Sequence, residues 1–201
     1  MKQKDLWEKL AQKNAMYYIN SDIGEGITEL EFEETGRVSY EKLLKRDHLI
    51  PKGGVLLDIG CGIGRLEPFM SEEFKVVFGV DISKTMIEKA IERVGFLPNI
   101  ALIETDGNFM PLNDETVDVA FSYLVFQHFK TMEMVKKNFK DVYRVLKKGG
   151  IFKVLVRSDK VRLTPWWGGV NCDEKAALES GFKLLKKRKV KNYGLWLWLQ
   201  K

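Results

Sequence analysis

Only two cysteines, Cys61 and Cys172, occur in the 201 residues. They cannot make a disulfide framework, nor a structural zinc site alone. Two histidines, His48 and His128, are too few for a His-based metal cluster, so no metal is expected. Long apolar runs are also lacking. Val76 to Phe78, Val119 to Phe121 and Leu195 to Leu199 fall far short of the ~20 residues a membrane span needs. The first residues, MKQKDLWEKLAQKN, alternate charge with apolar side chains and lack the apolar core of a secretory signal. The chain reads as cytoplasmic, with no membrane partner. Charge of one sign is in small excess: 33 Lys and Arg against 28 Asp and Glu give +5. That balance permits an acidic partner without requiring nucleic acid. No internal repeat and no low-complexity tract is visible.

What is present is an ordinary globular composition, 45% hydrophobic and 30% charged. The length fits one domain spanning residues 1–201. Residues 1–50 look helical, with Leu6, Trp7, Leu10 and Ala11, then Tyr40, Leu43 and Leu44, at helical spacing. Ser21 to Gly26 is turn chemistry, and Pro51, Gly53 and Gly54 mark a boundary. Beyond it, strand-like and helix-like stretches alternate. Strands are expected at Val55 to Ile59, Val76 to Val80, Ile100 to Glu104, Val117 to Ser122 and Ile151 to Val156. A helix after the first strand runs to about Phe74, with Pro68 tolerable in its first turn. Ser83 and Thr131 cap two further helices, the second ending at Gly149 and Gly150. This rhythm is that of a parallel sheet covered on both faces. Phe182 to Val190 and Tyr193 to Gln200 are separated by too short a link for a parallel crossover, so they should form an antiparallel hairpin. The last strand is apolar on both faces and belongs inside the sheet, between the fifth and sixth strands. The sixth carries Lys183, Lys186, Lys187, Arg188 and Lys189 and suits a guarded edge.

The stretch LLDIGCGIGR joins the first strand to a helix through Gly60, Gly62 and Gly64. Glycines there let the chain turn sharply and let a ligand approach the backbone. A diphosphate would be repelled by Asp58 just before the turn. That carboxylate suits a ligand with a positive amino or sulfonium group, although it could also only cap the turn. Asp81 ends the second strand, where a carboxylate can accept both hydroxyls of a ribose. Asp106, followed by Gly107, ends the third and can accept from an exocyclic adenine amine.

With those residues in view, LLDIGCGIGRLEPF, VVFGVDISKTMIEKA, IETDGNFMPLNDETVDVAFSYLVFQHF and VYRVLKKGGIFKVLV together resemble class I S-adenosylmethionine-dependent methyltransferases. FEETGR, Phe32 to Arg37, resembles a segment ahead of the turn in a subgroup with GCGxGRL. The resemblance implies an α/β, three-layer Rossmann-like methyltransferase fold: a seven-stranded, mostly parallel sheet with an antiparallel last strand and helices on both faces. It implies S-adenosyl-L-methionine as cofactor. Gly60, Cys61, Gly62 and Gly64 would wrap its methionine part, with Arg37 or Arg65 on the carboxylate. Asp81 would hold the ribose, Ile82 would pack on the adenine, and Asp106 and Gly107 would read its edge. Ser122 and Tyr123 would border the sulfur.

Tyr123 and His128 are candidate catalytic residues, His128 being as well suited to a backbone hydrogen bond. Cys61 reads as a small apolar turn residue, and Cys172 as the more exposed of the two thiols. Residues 1–50, with Tyr17 and Tyr18, and the loop carrying Trp166 and Trp167 would form a lid or wall over a substrate. No Asn- or Asp-Pro-Pro-aromatic signature follows the fourth strand, as base-amino methylation would want, and neither cysteine lies there for carbon-5 chemistry. The expected acceptor is a small molecule. A protein or RNA acceptor, a nicotinamide-dependent oxidoreductase and a non-catalytic cofactor-binding protein are the alternatives.

Overall fold

A computed structural model describes residues 3–20, 24–158, 168–190 and 194–201. They divide into two compact units, Met1–Thr105 and Asp106–Lys201.

In the first unit, helix α1 (Gln3–Ile19) is interrupted at Asn14, whose backbone is non-helical. The Asn14 side chain accepts the Tyr17 N–H at 3.1 Å, so it caps the stretch that follows. Helix α2 (Glu29–Tyr40) starts with a capping box between Thr28 and Glu31 and runs into a π-helical turn, Glu41–Lys45. Strands β1 (Val55–Ile59), β2 (Val76–Asp81) and β3 (Ile100–Glu104) are parallel, in the order β3-β2-β1. Helix α3 (Glu67–Glu73) follows β1 and takes Pro68 in its first turn, as expected. Helix α4 (Lys84–Val94) is capped by Ser83 and buries Met86, Ile87, Ala90 and Val94. Ala11 and Ala15 of α1 join Phe32, Ile63 and Met86 in one apolar cluster, flanked by Trp7, Met16, Ile19 and Ile27. Glu8 anchors α1 over the start of α4. Its carboxylate accepts from Ser83 Oγ at 2.7 Å, from the Thr85 N–H at 3.3 Å and from the Thr85 hydroxyl. A carboxylate is favoured at that helix end by the unpaired N–H groups there.

In the second unit, β4 (Val117–Ser122) leads through a 3₁₀ turn (Phe126–His128) into α5 (Met132–Val145), capped by Thr131. Then come β5 (Leu146–Val156), a short α6 (Lys175–Glu179), β6 (Lys183–Val190) and β7 (Gly194–Gln200). β4 and β5 are parallel, and β7 is antiparallel to both β5 and β6. The strands run β3-β2-β1-β4-β5-β7-β6, with helices packed on the sheet. This is the Rossmann-like methyltransferase order that the resemblance implied. Trp196, Leu197, Trp198 and Leu199 are buried on both faces of β7, as a central strand requires. β6 is the edge. Its exposed cations lie over β7, with Lys186 Nζ 4.9 Å and the Arg188 guanidinium 5.9 Å from the Trp198 ring centre.

Two boundaries differ from expectation. Helix α5 stops at Val145, not at the glycines, because Leu146 turns extended and pairs with Val117. The β4–β5 register then jumps from Val117↔Leu146 to Val119↔Ile151. Gly149 and Gly150 lie in this irregularity and bond the chain end: Gly149 N–H to Lys201 O at 2.9 Å, Lys201 N–H to Gly150 O at 3.1 Å. Helix α6 is only five residues long, too short to show a periodic stripe. Cys172 also departs from expectation. It is buried at 6% exposure, and burial pushes its thiol up to about 12.

The core of this unit is aromatic. Phe139 lies 5.3 Å from Phe126, 5.9 Å from Phe152 and 6.3 Å from Phe182, ring centre to ring centre. Phe139→Ala should destabilise the protein by about 3–5 kcal/mol, read as a lower denaturation midpoint with an unchanged denaturant slope.

Candidate functional site

The turn after β1 is held by backbone bonds before any side chain acts. Gly60 and Cys61 both donate their N–H groups to Val80 O, at 2.7 and 3.1 Å. Gly62 donates to Asp81 Oδ2 at 3.1 Å, and Ser83 donates to Asp81 Oδ1 at 2.9 Å. Gly60, Gly62 and Gly64 have φ of 80°, 58° and 79°, the left-handed region that glycine enters without steric cost. Space is short as well. A Cβ on Gly62 would stand 2.7 Å from Ile19 Cδ1 of α1, and one on Gly64 2.8 Å from Val94 Cγ2. Cys61 is buried, with Gly79 of β2 beneath it: a Cβ on Gly79 would come within 3.2 Å of its Sγ.

Acids dominate the electrostatics of this unit. Asp58, at the end of β1, is buried at 4% exposure, and Glu67, at the start of α3, is fully buried. Their carboxyl groups hydrogen-bond each other. Burial pushes Glu67 up to about 7. Asp58 is held well above the usual carboxylate range by burial first and the Glu67 charge second. Burial also pushes Asp81 up to about 6, against the lowering effect of the N–H groups it accepts. Half-buried Ile82 follows Asp81. Arg65 is buried and turned towards α2, donating through Nη1 to Thr35 O at 3.2 Å and Ser39 Oγ at 3.0 Å. Arg37 is exposed and paired with Glu34 and Glu41 on its own helical surface. Tyr17 and Tyr18 are half-buried and meet edge to face at 5.0 Å.

The second unit carries the other candidates. Asp106 is exposed. Its Oδ1 accepts from the Asn108 and Phe109 N–H groups at 2.8 and 3.0 Å. Gly107 has φ of 80° and accepts from Asn138 Nδ2 at 2.8 Å. Ser122 is fully buried at the end of β4. The Tyr123 ring stacks on Trp196, centres 5.7 Å apart. The next residue, Leu124, has φ of 63°, a conformation costly for a bulky side chain and one that gathers at functional sites. His128 is buried, its Nε2 3.3 Å from Gln127 Nε2. Trp166 and Trp167 lie outside the described residues. Among the described residues no group of His, Cys, Asp and Glu could hold a metal, and no helix is long and apolar enough to cross a membrane.

The first unit thus gathers Asp58, Asp81 and the three glycines around one turn. Sequence reasoning missed Glu67, Gly79, Ile19 and Leu124. Gly79 had a visible sign, a glycine inside an apolar strand, which marks close backbone approach. Glu67 had none, because an acid in a first helical turn is ordinary. Chemically, three acids around one turn disfavour a diphosphate and favour a ligand carrying hydroxyls and positive charge.

Residues 57–154 match the family model of a methyltransferase domain. A malonyl-[acyl-carrier protein] O-methyltransferase from Marinomonas sp. is 30% identical over 145 residues, covering 69% of this chain and 51% of that protein. Phosphoethanolamine N-methyltransferase 1 of Arabidopsis thaliana is 32% identical over 127 residues, covering 62% and 25%. Other relatives are a tRNA (carboxymethyluridine(34)-5-O)-methyltransferase and ribosomal protein L11 methyltransferases. The chain spans about half the length of the first relative and a quarter of the second. In fold it is similar to the crystal structure of a SAM-dependent methyltransferase from Aquifex aeolicus. The TM-score is 0.65 at 21% identity, over 86% of this chain and 98% of that one.

Two measurements test the turn. Gly62→Ala should destabilise the protein more than Gly24→Ala. Both have positive φ, but only at Gly62 does a side chain occupy the space of a Cβ; equal losses in chemical denaturation would refute the role of Ile19. Asp81 is held above its ordinary value, so the folded state binds its proton more tightly than the unfolded chain. Its contribution is full below about pH 4 and is lost as pH rises through about 6. Asp81→Asn should remove that part of the stability profile, and an unchanged slope across those pH values would contradict it.

Proposed function

We propose, from the methyltransferase domain that residues 57–154 match, that this S-adenosylmethionine-dependent enzyme passes its methyl group to a small-molecule acceptor. The observation that carries the donor site is the clamp of the glycine turn on the end of β2. Gly62 N–H and Ser83 N–H fix the two Asp81 oxygens and leave each a lone pair for a ribose hydroxyl. Ile82 then lies beside the adenine. Gly60, Cys61, Gly62 and Gly64 follow the methionine part, and Asp58 supplies a negative charge for its ammonium group. Asp106 and Gly107 take the adenine edge. Ser122 and Tyr123 border the sulfur, where the Leu124 backbone fixes the direction of the chain.

The donor, when bound, supplies a methyl group on a positively charged sulfur. The chain's own contribution is alignment and exclusion of water, because positive charge is dispersed as the methyl moves and no strong acid is needed. A base is wanted only for an acceptor protonated at working pH; Tyr123 and His128 are the residues for that task. Tyr17 and Tyr18 on α1 are proposed substrate contacts. Arg65 is committed to α2 and Arg37 to its neighbouring acids. A methionine carboxylate therefore meets a competing set of partners at either arginine.

The small-molecule reading is supported by the absence of the base-methylation signatures after β4, and by the acceptor in the printed name of the phosphoethanolamine relative. A macromolecular acceptor matches the names of the tRNA and L11 relatives instead. Isothermal titration should show S-adenosylhomocysteine binding that Asp81→Ala weakens by tenfold or more, about 1.4 kcal/mol. Equal affinity in both proteins would overturn the donor site. Labelled methyl transfer into a fractionated cell extract should then place the label in the low-mass fraction; label in protein or RNA would overturn the acceptor class.

A further inference from the structure

The Asp58–Glu67 pair has a geometry that an ordinary structural acid does not need. Glu67 is fully buried. Its Oε2 accepts the Leu66 N–H at 3.1 Å, while Oε1, also buried, accepts from no N–H or O–H group of the described residues. That oxygen is accounted for by the carboxyl–carboxyl bond to Asp58. Such a bond requires a proton between two acceptors. A buried pair of carboxyls that shares one proton carries a single negative charge. Three further groups act on the pair: Arg65, whose charge favours ionisation, Asp81, which opposes it, and the Cys61 thiol, which both acids hold up.

We propose that Glu67 is a positioning residue that keeps the shared proton and donates it to Asp58, so that Asp58 presents one oriented negative charge at the foot of the glycine turn to the ammonium group of the methyl donor. This rests on the S-adenosylmethionine reading. Glu67 itself touches no reacting atom. Its backbone place at the start of α3, two residues after Arg65, ties the helix that follows the turn to the acid that precedes it.

A cation next to the pair favours the ionised form, so binding should drive part of the shared proton into solvent. The pair titrates near neutrality, with Glu67 at about 7. Asp81, at about 6, releases its own proton in a lower range.

The test is titration calorimetry of the whole chain with S-adenosylhomocysteine, which carries the same ammonium group. It is run between about pH 6 and pH 9 in buffers of different ionisation enthalpy. The unmodified protein should release a fraction of a proton near pH 7.5, and its affinity should rise with pH there. Glu67→Gln donates an N–H permanently and should abolish the release above about pH 7, leaving only the Asp81 part. Glu67→Leu removes the donor, so buried Asp58 holds its own proton more tightly. Affinity at pH 7 should fall by about tenfold and recover as pH approaches 9, a shift of roughly one pK unit. Opposite displacements of the two profiles are not what loss of packing would give. The same proton release in Glu67→Gln as in the unmodified chain would overturn the inference, and so would a pH-independent loss in Glu67→Leu. Should Glu67→Leu fail to fold by circular dichroism, the glutamine variant decides alone. Absence of any S-adenosylhomocysteine binding by the unmodified chain would overturn the donor reading itself.

Discussion

The carbonyl of Val80 accepts two N–H groups, those of Gly60 and Cys61, and most of the candidate site depends on that arrangement. A backbone that must bend back at the end of β1 exposes donors that the sheet no longer satisfies. The end of β2 takes them, and Asp81, the next residue, takes the Gly62 N–H. The bend is therefore set by main-chain bonding, which no side-chain substitution in the turn removes. What the side chains must do is stay out of the way. Positive φ at three glycines and the approach of Ile19 and Val94 leave the turn no room for a Cβ at Gly62 or Gly64. The pocket-like property of the turn, open backbone without side chains, follows from the same constraint.

Electrostatics then selects the ligand. Asp58, Glu67 and Asp81 are all raised by burial, which means the fold concentrates acids where charge is poorly solvated. Such an arrangement is destabilising in the absence of a partner, because the desolvation of each acid is only partly offset by N–H donors and by Arg65. A cationic nucleoside with ribose hydroxyls relieves that cost. A dinucleotide diphosphate deepens it. This is why an otherwise common strand–glycine–helix unit points to a sulfonium donor and not to a nicotinamide.

Much of the fold was legible because its causes are local. The apolar runs of β1, β3 and β4 and the caps at Ser83 and Thr131 fall where the sequence places them. The place of β7 inside the sheet follows from its alternation of Trp and Leu, which leaves neither face fit for water. What could not be read is non-local. The early end of α5 depends on Leu146 finding Val117 and on the carboxyl-terminal Lys201 bonding Gly149 and Gly150. The burial of Cys172 and the partnership of Glu67 with Asp58 likewise depend on elements distant in sequence. For the site, Asp81 and the glycines carried their own sign. The commitment of Arg65 to α2 did not, since an arginine beside a glycine turn looks the same whether it faces a ligand or a neighbouring helix.

The two arginines also explain why donor and acceptor differ in how plainly they are written. A donor common to a whole class of enzymes is held by main-chain geometry and by acids at strand ends, features tied to the fold itself. An acceptor is met by whatever side chains the appended segments supply. Here those segments are α1, α2 and the residues after β5, and their described part is held by interactions specific to this chain: Glu8 on Ser83 and Thr85, Phe32 among the alanines of α1, Arg65 on Thr35 and Ser39. The fixation of α1 against α4 places Ile19 directly over Gly62. Any movement of α1 that admits a substrate must therefore disturb the contact that shields the turn. Occupancy of the donor turn and order in α1 are in this way energetically linked, with no need for a separate device to couple them.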